Sequence, residues 1–239
     1  SQPPGGRYLL GTDQLGRDVL SRVIYGARIS LAVGLLAVGL GASAGVAVGI
    51  VSGYAGGWFD HLLMRVVDIL LAFPLYLLAL TVMAILGSSL GNTILAVGIA
   101  SFPAFARLTR GEALAIKRRE FVDAARAIGA SDPAIMRRHI FPNIVAPIIV
   151  MATLRVGQAI LVEAGLSFLG LGIAPPTPSW GLMVNDGLAL IWNAPWVATF
   201  PGLAIMLLVL GFNLVGDGLR DALDPRLRTD AAGPAARVA

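Results

Sequence analysis

The residues able to do chemistry in this chain are few, and most sit in apolar surroundings. Arg65 and Asp68 stand three apart near the start of one apolar run, while Arg155 and Glu163 stand eight apart inside another. Residues three apart on a helix are neighbours, so Arg65 and Asp68 predict a structural ion pair in preference to a proton relay. Asp68 also lies near the positive end of that helix. Eight residues correspond to about 12 Å of helical rise, so Arg155 and Glu163 each need a separate partner or a wet cavity. Other chemistries are excluded. Cysteine is absent, which removes disulfides, thiol nucleophiles and zinc–thiolate sites. His61 and His139 are too few and too far apart for a metal cluster, so no metal site is expected. No GxxxxGK[ST] phosphate loop occurs, and the chain cannot itself be an ATP-driven motor.

Membrane helices must position these side chains. The chain of 239 residues is 56% hydrophobic and only 13% charged, with a mean hydropathy of +0.80. A soluble domain carries about 25% charged residues, and lipid is the natural solvent for this much apolar surface. The net charge of +4 reports membrane orientation here and gives no case for a nucleic-acid partner. Apolar runs at 29–52, 62–86 (containing Pro74), 93–106, 144–165 and 197–215 predict five spans. Small residues in the first, Gly34, Gly41, Gly45 and Gly49, would let helices approach closely.

Orientation follows from Lys and Arg. The loop after the third run holds Arg107, Arg110, Lys117, Arg118, Arg119, Arg126, Arg137 and Arg138, and the tail adds Arg220, Arg226, Arg228 and Arg237. Loops 87–92 and 166–196 have neither residue. The basic loop and the C-terminal tail are therefore expected in the cytoplasm. Counting back places the N-terminal segment outside, despite Arg7, Arg17, Arg22 and Arg28. An odd span count behind a basic outer segment predicts a sixth, upstream helix that this sequence lacks.

Loop 108–142 is the most informative segment. Helical composition over 112–119 and 120–128, Gly129 as a left-handed cap and Ser131-Asp132-Pro133 as a new start predict two short helices joined by a tight turn. Phe121, Ala124, Ala125 and Ile128 are able to share one face. A basic loop touching anionic headgroups is the plainer reading. The spacing is more specific: Asp123-Ala124-Ala125, three residues, Gly129, ten residues, then Ile140-Phe141-Pro142 resembles the EAA motif of ABC importer permeases, with Asp123 and Phe141 in place of the usual Glu and Leu.

The blocks at 10–31, 62–74, 167–181 and 200–226 look like the second permease subunit of dipeptide and oligopeptide importers. The resemblance implies an all-α fold, the polytopic helical bundle of a type I ABC importer transmembrane domain. It implies an extracytoplasmic segment 1–28, a membrane domain 29–217 with its coupling loop, and a cytoplasmic tail 218–239. Asp123, Ala124, Ala125, Gly129, Ala130 and Pro142 are the coupling residues it implies. The implied partners are a homologous second permease subunit, two ATP-binding subunits, an extracytoplasmic substrate-binding protein and the lipid of a bacterial inner membrane. ATP and magnesium would be bound by the partners, and this chain would hold no cofactor and catalyse no reaction.

Within that frame Arg155 and Glu163 are candidate substrate-path residues. Glu163 is read either as an interfacial acid reaching for water or as a site for a peptide's amino terminus. Arg155 is read as packing against the companion subunit or water ahead of substrate contact. Pro175, Pro176, Pro178 and Trp180 predict a stiff loop anchored at the membrane interface. Three alternatives remain: a nickel or glutathione permease of the same family, a membrane hydrolase, and an ion-coupled secondary transporter using Asp68 or Glu163 as its proton site.

Overall fold

Asp18 decides where the first helix begins. Its carboxylate accepts from the Ser21 amide at 2.9 Å and the Ser21 hydroxyl at 2.5 Å, and so caps α1 (Val19–Ala55). In this computed structural model, which describes residues 1–223, the helix thus starts well before the expected position 29. Residues 19–28, assigned by charge to an outer segment, are its first turns. Arg22 is accommodated there by Asp13, at 2.5 Å.

The second apolar run is not one helix. α2 (Gly57–Ala72) and α3 (Leu75–Leu86) meet at a 94° bend. Pro74 causes it, because a residue before proline is pushed out of the helical region, and Phe73 is extended at φ −83°, ψ 133°. α4 (Leu90–Lys117) runs far past the expected end at 106, with Pro103 inside it. Then come α5 (Glu120–Ala127), α6 (Asp132–Ile135), a π-helical turn (Met136–Ile140) and α7 (Phe141–Phe168). The second of the two expected short helices is therefore the beginning of a continuous 132–168 span. The π turn has a local cause: Pro142 has no amide to donate and its ring would crowd the preceding turn, so Phe141 N–H bonds five residues back to Met136 O. α8 (Trp180–Leu188) and α9 (Trp196–Leu223) complete the described chain. α9 passes the expected tail boundary at 217, and residues 224–239, with Arg226, Arg228 and Arg237, lie outside the described residues.

The fold is thus an all-α membrane bundle with, among the described residues, four unbroken apolar helices and one bent pair, or up to five spans. Its most extensive packing joins α1 to α4. At Gly45 an added Cβ would lie 2.6 Å from Phe105 Cβ, and at Gly49 it would lie 2.6 Å from Ala106 O. Bare glycine lets these backbones touch, as the small-residue spacing predicts. Ala37, Val97, Val156 and Ile160 continue the core toward α7. A second cluster, Ile50, Tyr54, Val122, Ile135, Ile140 and Ile144, seats the α5–α6 hairpin on the bundle. Along α9, Leu203, Met206, Leu207, Leu210 and Leu214 face outward from the chain, which is the surface expected of a helix solvated by lipid or by another subunit.

Candidate functional site

The α5–α6 hairpin is built by its backbone. Gly129 has φ +85°, its N–H donates to Arg126 O at 3.0 Å, and the Ala130 N–H donates to Ala125 O at 3.1 Å. These two bonds form a Schellman cap that ends α5 and turns the chain. Pro133 lies in the first turn of α6, but neither Ser131 nor Asp132 caps it with a side chain. The Asp132 carboxylate instead accepts from the Tyr54 hydroxyl at 2.5 Å. Tyr54 sits at the end of α1 and gathers the hairpin around itself. Lys117 Nζ donates to its carbonyl at 2.5 Å, and the Lys117 and Arg126 cations lie 5.3 and 5.9 Å from its ring centroid.

The helix faces differ from the sequence expectation. Ala125 turns inward with Val122, while Phe121, Ala124 and Ile128 form the outward face, Ile128 being 86% exposed. Asp123 is also exposed, with only a surface contact to Arg126 at 3.3 Å. Ala130 packs at the edge of the Ile50–Tyr54 cluster, and Pro142 is exposed in the first turn of α7. The hairpin thus presents a short helix with an apolar face and a carboxylate that the rest of the bundle leaves uncovered.

The expected Arg65–Asp68 pair is not formed. Asp68 pairs with Arg107 of α4, which faces it across the α2–α4 contact, and Arg65 shares a polar cavity with both. A short aspartate side chain met by a long arginine from the next helix needs no partner on its own helix. Sequence reasoning also missed a more deeply buried pair. Arg110 holds Asp60 in a two-pronged bond at 2.6 Å each, and Ser52 donates to the same carboxylate. The polar residues near the ends of those runs were its only sequence signal.

Glu163 is not the exposed acid reaching for water that one of its two readings expects. It is completely buried and accepts three hydroxyl hydrogen bonds, from Ser30 at 3.1 Å, Ser167 at 2.9 Å and Ser179 at 2.9 Å. These serines come from α1, from α7 and from the start of α8, so the carboxylate ties the 169–195 segment to the bundle. Trp180 is buried too, packed against the chain itself: its indole N–H donates to Val23 O at 2.8 Å, and its ring lies where a Cβ on Gly26 would be.

Arg155 remains as the polar group in the middle of a span. Its guanidinium donates to Gln158 Oε1 at 2.7 Å, one turn along α7. It borders a cavity of about 290 Å³ whose other walls include Leu70, Phe73, Pro74, Ala100 and Pro103. Among the described residues no group of three His, Cys, Asp or Glu could hold a metal ion.

Comparison with known proteins gives a consistent set of likenesses. Residues 45–229 match the family model "Binding-protein-dependent transport system inner membrane component". The chain is 54% identical over 225 residues to the glutathione transport system permease protein GsiD of Escherichia coli O6:K15:H31, covering 94% of this chain and 74% of that protein. GsiD of Shigella sonnei Ss046 is similar to the same extent. Among solved structures, a chain of the MetNI methionine ABC transporter in an inward-facing conformation superposes with a TM-score of 0.71 at 19% identity, covering 89% of this chain and all of that one. A chain of an amino acid ABC transporter gives a TM-score of 0.64 at 15% identity, covering 85% and 95%. At these identities the structural likeness speaks for the fold.

Proposed function

Because the chain belongs to the family of binding-protein-dependent transport system inner membrane components, we propose that it lines half of the path by which an ATP-driven importer brings glutathione into the cell. It is a non-catalytic permease subunit of an ABC importer. The cargo rests on one observation, the 54% identity to GsiD along nearly the whole chain. That likeness favours glutathione over the di- and oligopeptides expected from the sequence blocks. Glutathione is itself a tripeptide, so the two readings share most of their chemistry.

Coupling rests on the hairpin. Asp123, Ala124, Gly129 and Ile128 form the surface that docks on an ATP-binding partner, on the cytoplasmic side with the basic segment around it. Closure of two such partners on ATP biases the bundle between inward- and outward-open states. A second, homologous permease covers the bare faces, and an external binding protein meets the opposite end, where residues 1–18 and α8 lie. The proton-coupled reading loses its candidates: Glu163 is enclosed by serines and Asp68 is occupied by Arg107.

Co-expression with its companion permease, ATP-binding subunits and binding protein, followed by reconstitution in proteoliposomes, tests this. ATP-dependent uptake of glutathione in preference to dipeptides is expected. Preferential dipeptide uptake would restore the peptide reading. Uptake by this chain alone under a proton gradient would overturn the importer reading altogether.

A further inference from the structure

Arg155 stands at the middle of α7, about 20 Å along the helix from either end. At that depth a guanidinium, which stays charged, is costly unless something compensates it. Among the described residues no carboxylate lies within ion-pair distance of it, and its one hydrogen-bond partner is the neutral amide of Gln158. Bonding through Oε1 leaves the Gln158 amide group as a donor beside the remaining guanidinium N–H groups, so this pair offers chiefly N–H donors to anything that approaches it.

Two prolines border the cavity beside Arg155. Pro74 opens the α2–α3 break, and Pro103 lies within α4. α3 begins at this cavity with no side chain capping its first amides, which adds positive potential of the same sign as the arginine. Broken helices at mid-membrane depth that line a cavity are a recurring way of binding substrate charge. Lipid phosphates lie at the membrane surfaces, too far away to be the anion. A carboxylate can reach Arg155 by travelling along the path.

We propose that Arg155, held by Gln158, is the carboxylate-recognition element of the translocation path, so that the permease itself selects cargo bearing a free carboxylate at the α2–α3 break. This rests on the permease reading above. The competing source of the anion is an acidic side chain of the companion subunit, which would make Arg155 a structural residue of the assembly.

The test uses the reconstituted full complex, supplied with the tripeptide proposed as cargo or with the same tripeptide amidated at both of its free carboxyl groups, the glycine C-terminus and the γ-glutamyl α-carboxyl, each at a concentration that saturates the binding protein. Wild type is expected to transport the acid at least about ten times faster than the amide. Arg155→Gln should bring the two rates within about twofold by lowering the acid rate, with complex assembly and binding-protein-stimulated ATP hydrolysis retained. Arg155→Lys should restore part of the preference. Arg155→Cys provides a second readout in a chain without native cysteine. A water-soluble thiosulfonate should label it, the acid should protect it, and the amide should not. Equal loss of acid and amide transport in Arg155→Gln, or a thiol that the acid does not protect, overturns the proposal in favour of a subunit contact. An unchanged acid rate overturns it outright. Absence of any ATP-driven uptake by wild type is a different result: it removes the importer reading, and this proposal falls with it.

Discussion

Gly129 offers the sharpest separation of backbone from bulk. Its φ of +85° lies in the left-handed region, yet a Cβ built there meets nothing within 4 Å. Any penalty for substitution is therefore conformational. An ordinary L-residue in this region costs about 1–2 kcal/mol, asparagine less, and a β-branched residue more. About 1–2 kcal/mol reduces the ratio of formed to opened hairpin by a factor of roughly 5–30. The bonds at risk are the two that close the cap, from the Gly129 and Ala130 amides to Arg126 O and Ala125 O. Hydrogen exchange of those amides in the assembled complex should accelerate by that factor in Gly129→Ala, by more in Gly129→Val and least in Gly129→Asn. Binding-protein-stimulated ATP hydrolysis should decline in the same order, while the spans remain folded. If valine and asparagine gave equal exchange and equal stimulation, the left-handed cap would not be what holds the hairpin in its docking shape. If exchange followed the order but stimulation did not, the hairpin would not be the coupling element.

Two further outcomes follow from buried carboxylates. Glu163→Ala removes the common acceptor of three buried serine hydroxyls, some of which can rebond to their own helix, so the expected cost is about 2–4 kcal/mol. Thermal unfolding in detergent should show it, with early loss of protection in 169–195, and an alanine variant as stable as wild type would rule out the serine cage as a fastening. At Asp13, burial acts to raise the pKa, but hydrogen bonds from the Arg17 amide and side chain, the Arg22 side chain and the Leu15 amide outweigh it and hold the carboxyl below its ordinary value. A lowered folded-state pKa means that this stabilisation is complete above the unfolded value of about 3.9 and disappears as pH falls through the folded one. Protection of the Leu15 and Arg17 amides should thus persist at pH 5 and vanish only well below pH 4, and Asp13→Asn should abolish that dependence.

The legible parts of the fold were those fixed by local pattern. Apolar runs marked the membrane segments among the described residues, the glycine spacing of α1 marked a close helix contact, and Gly129 marked the end of α5. The boundaries were less legible, because Asp18 extends α1 into charged sequence and α4 carries its helix beyond the apolar run. Pro74 was visible inside the second run, but a proline alone does not tell a kink from a 94° bend. On α5, the composition allowed Ala125 to join the exposed face. Packing of Val122 and Ala125 on Ile135 and Ile140 decided otherwise.

By itself the sequence determined that this chain dissolves in lipid, roughly where it spans, and that one basic loop carries a coupling-like spacing, because hydropathy and short-range propensity are properties of neighbours along the chain. The tertiary structure alone decided what each embedded charge does. Asp68 takes Arg107 over Arg65, Asp60 takes Arg110, Glu163 disappears among three serines, and Arg155 is left beside a cavity. The two partners of Asp60 and Asp68 come from α4, and two of the three serines lie outside α7. A charge in low dielectric is governed by whatever group stands within hydrogen-bond reach, and sequence distance carries no information about that reach.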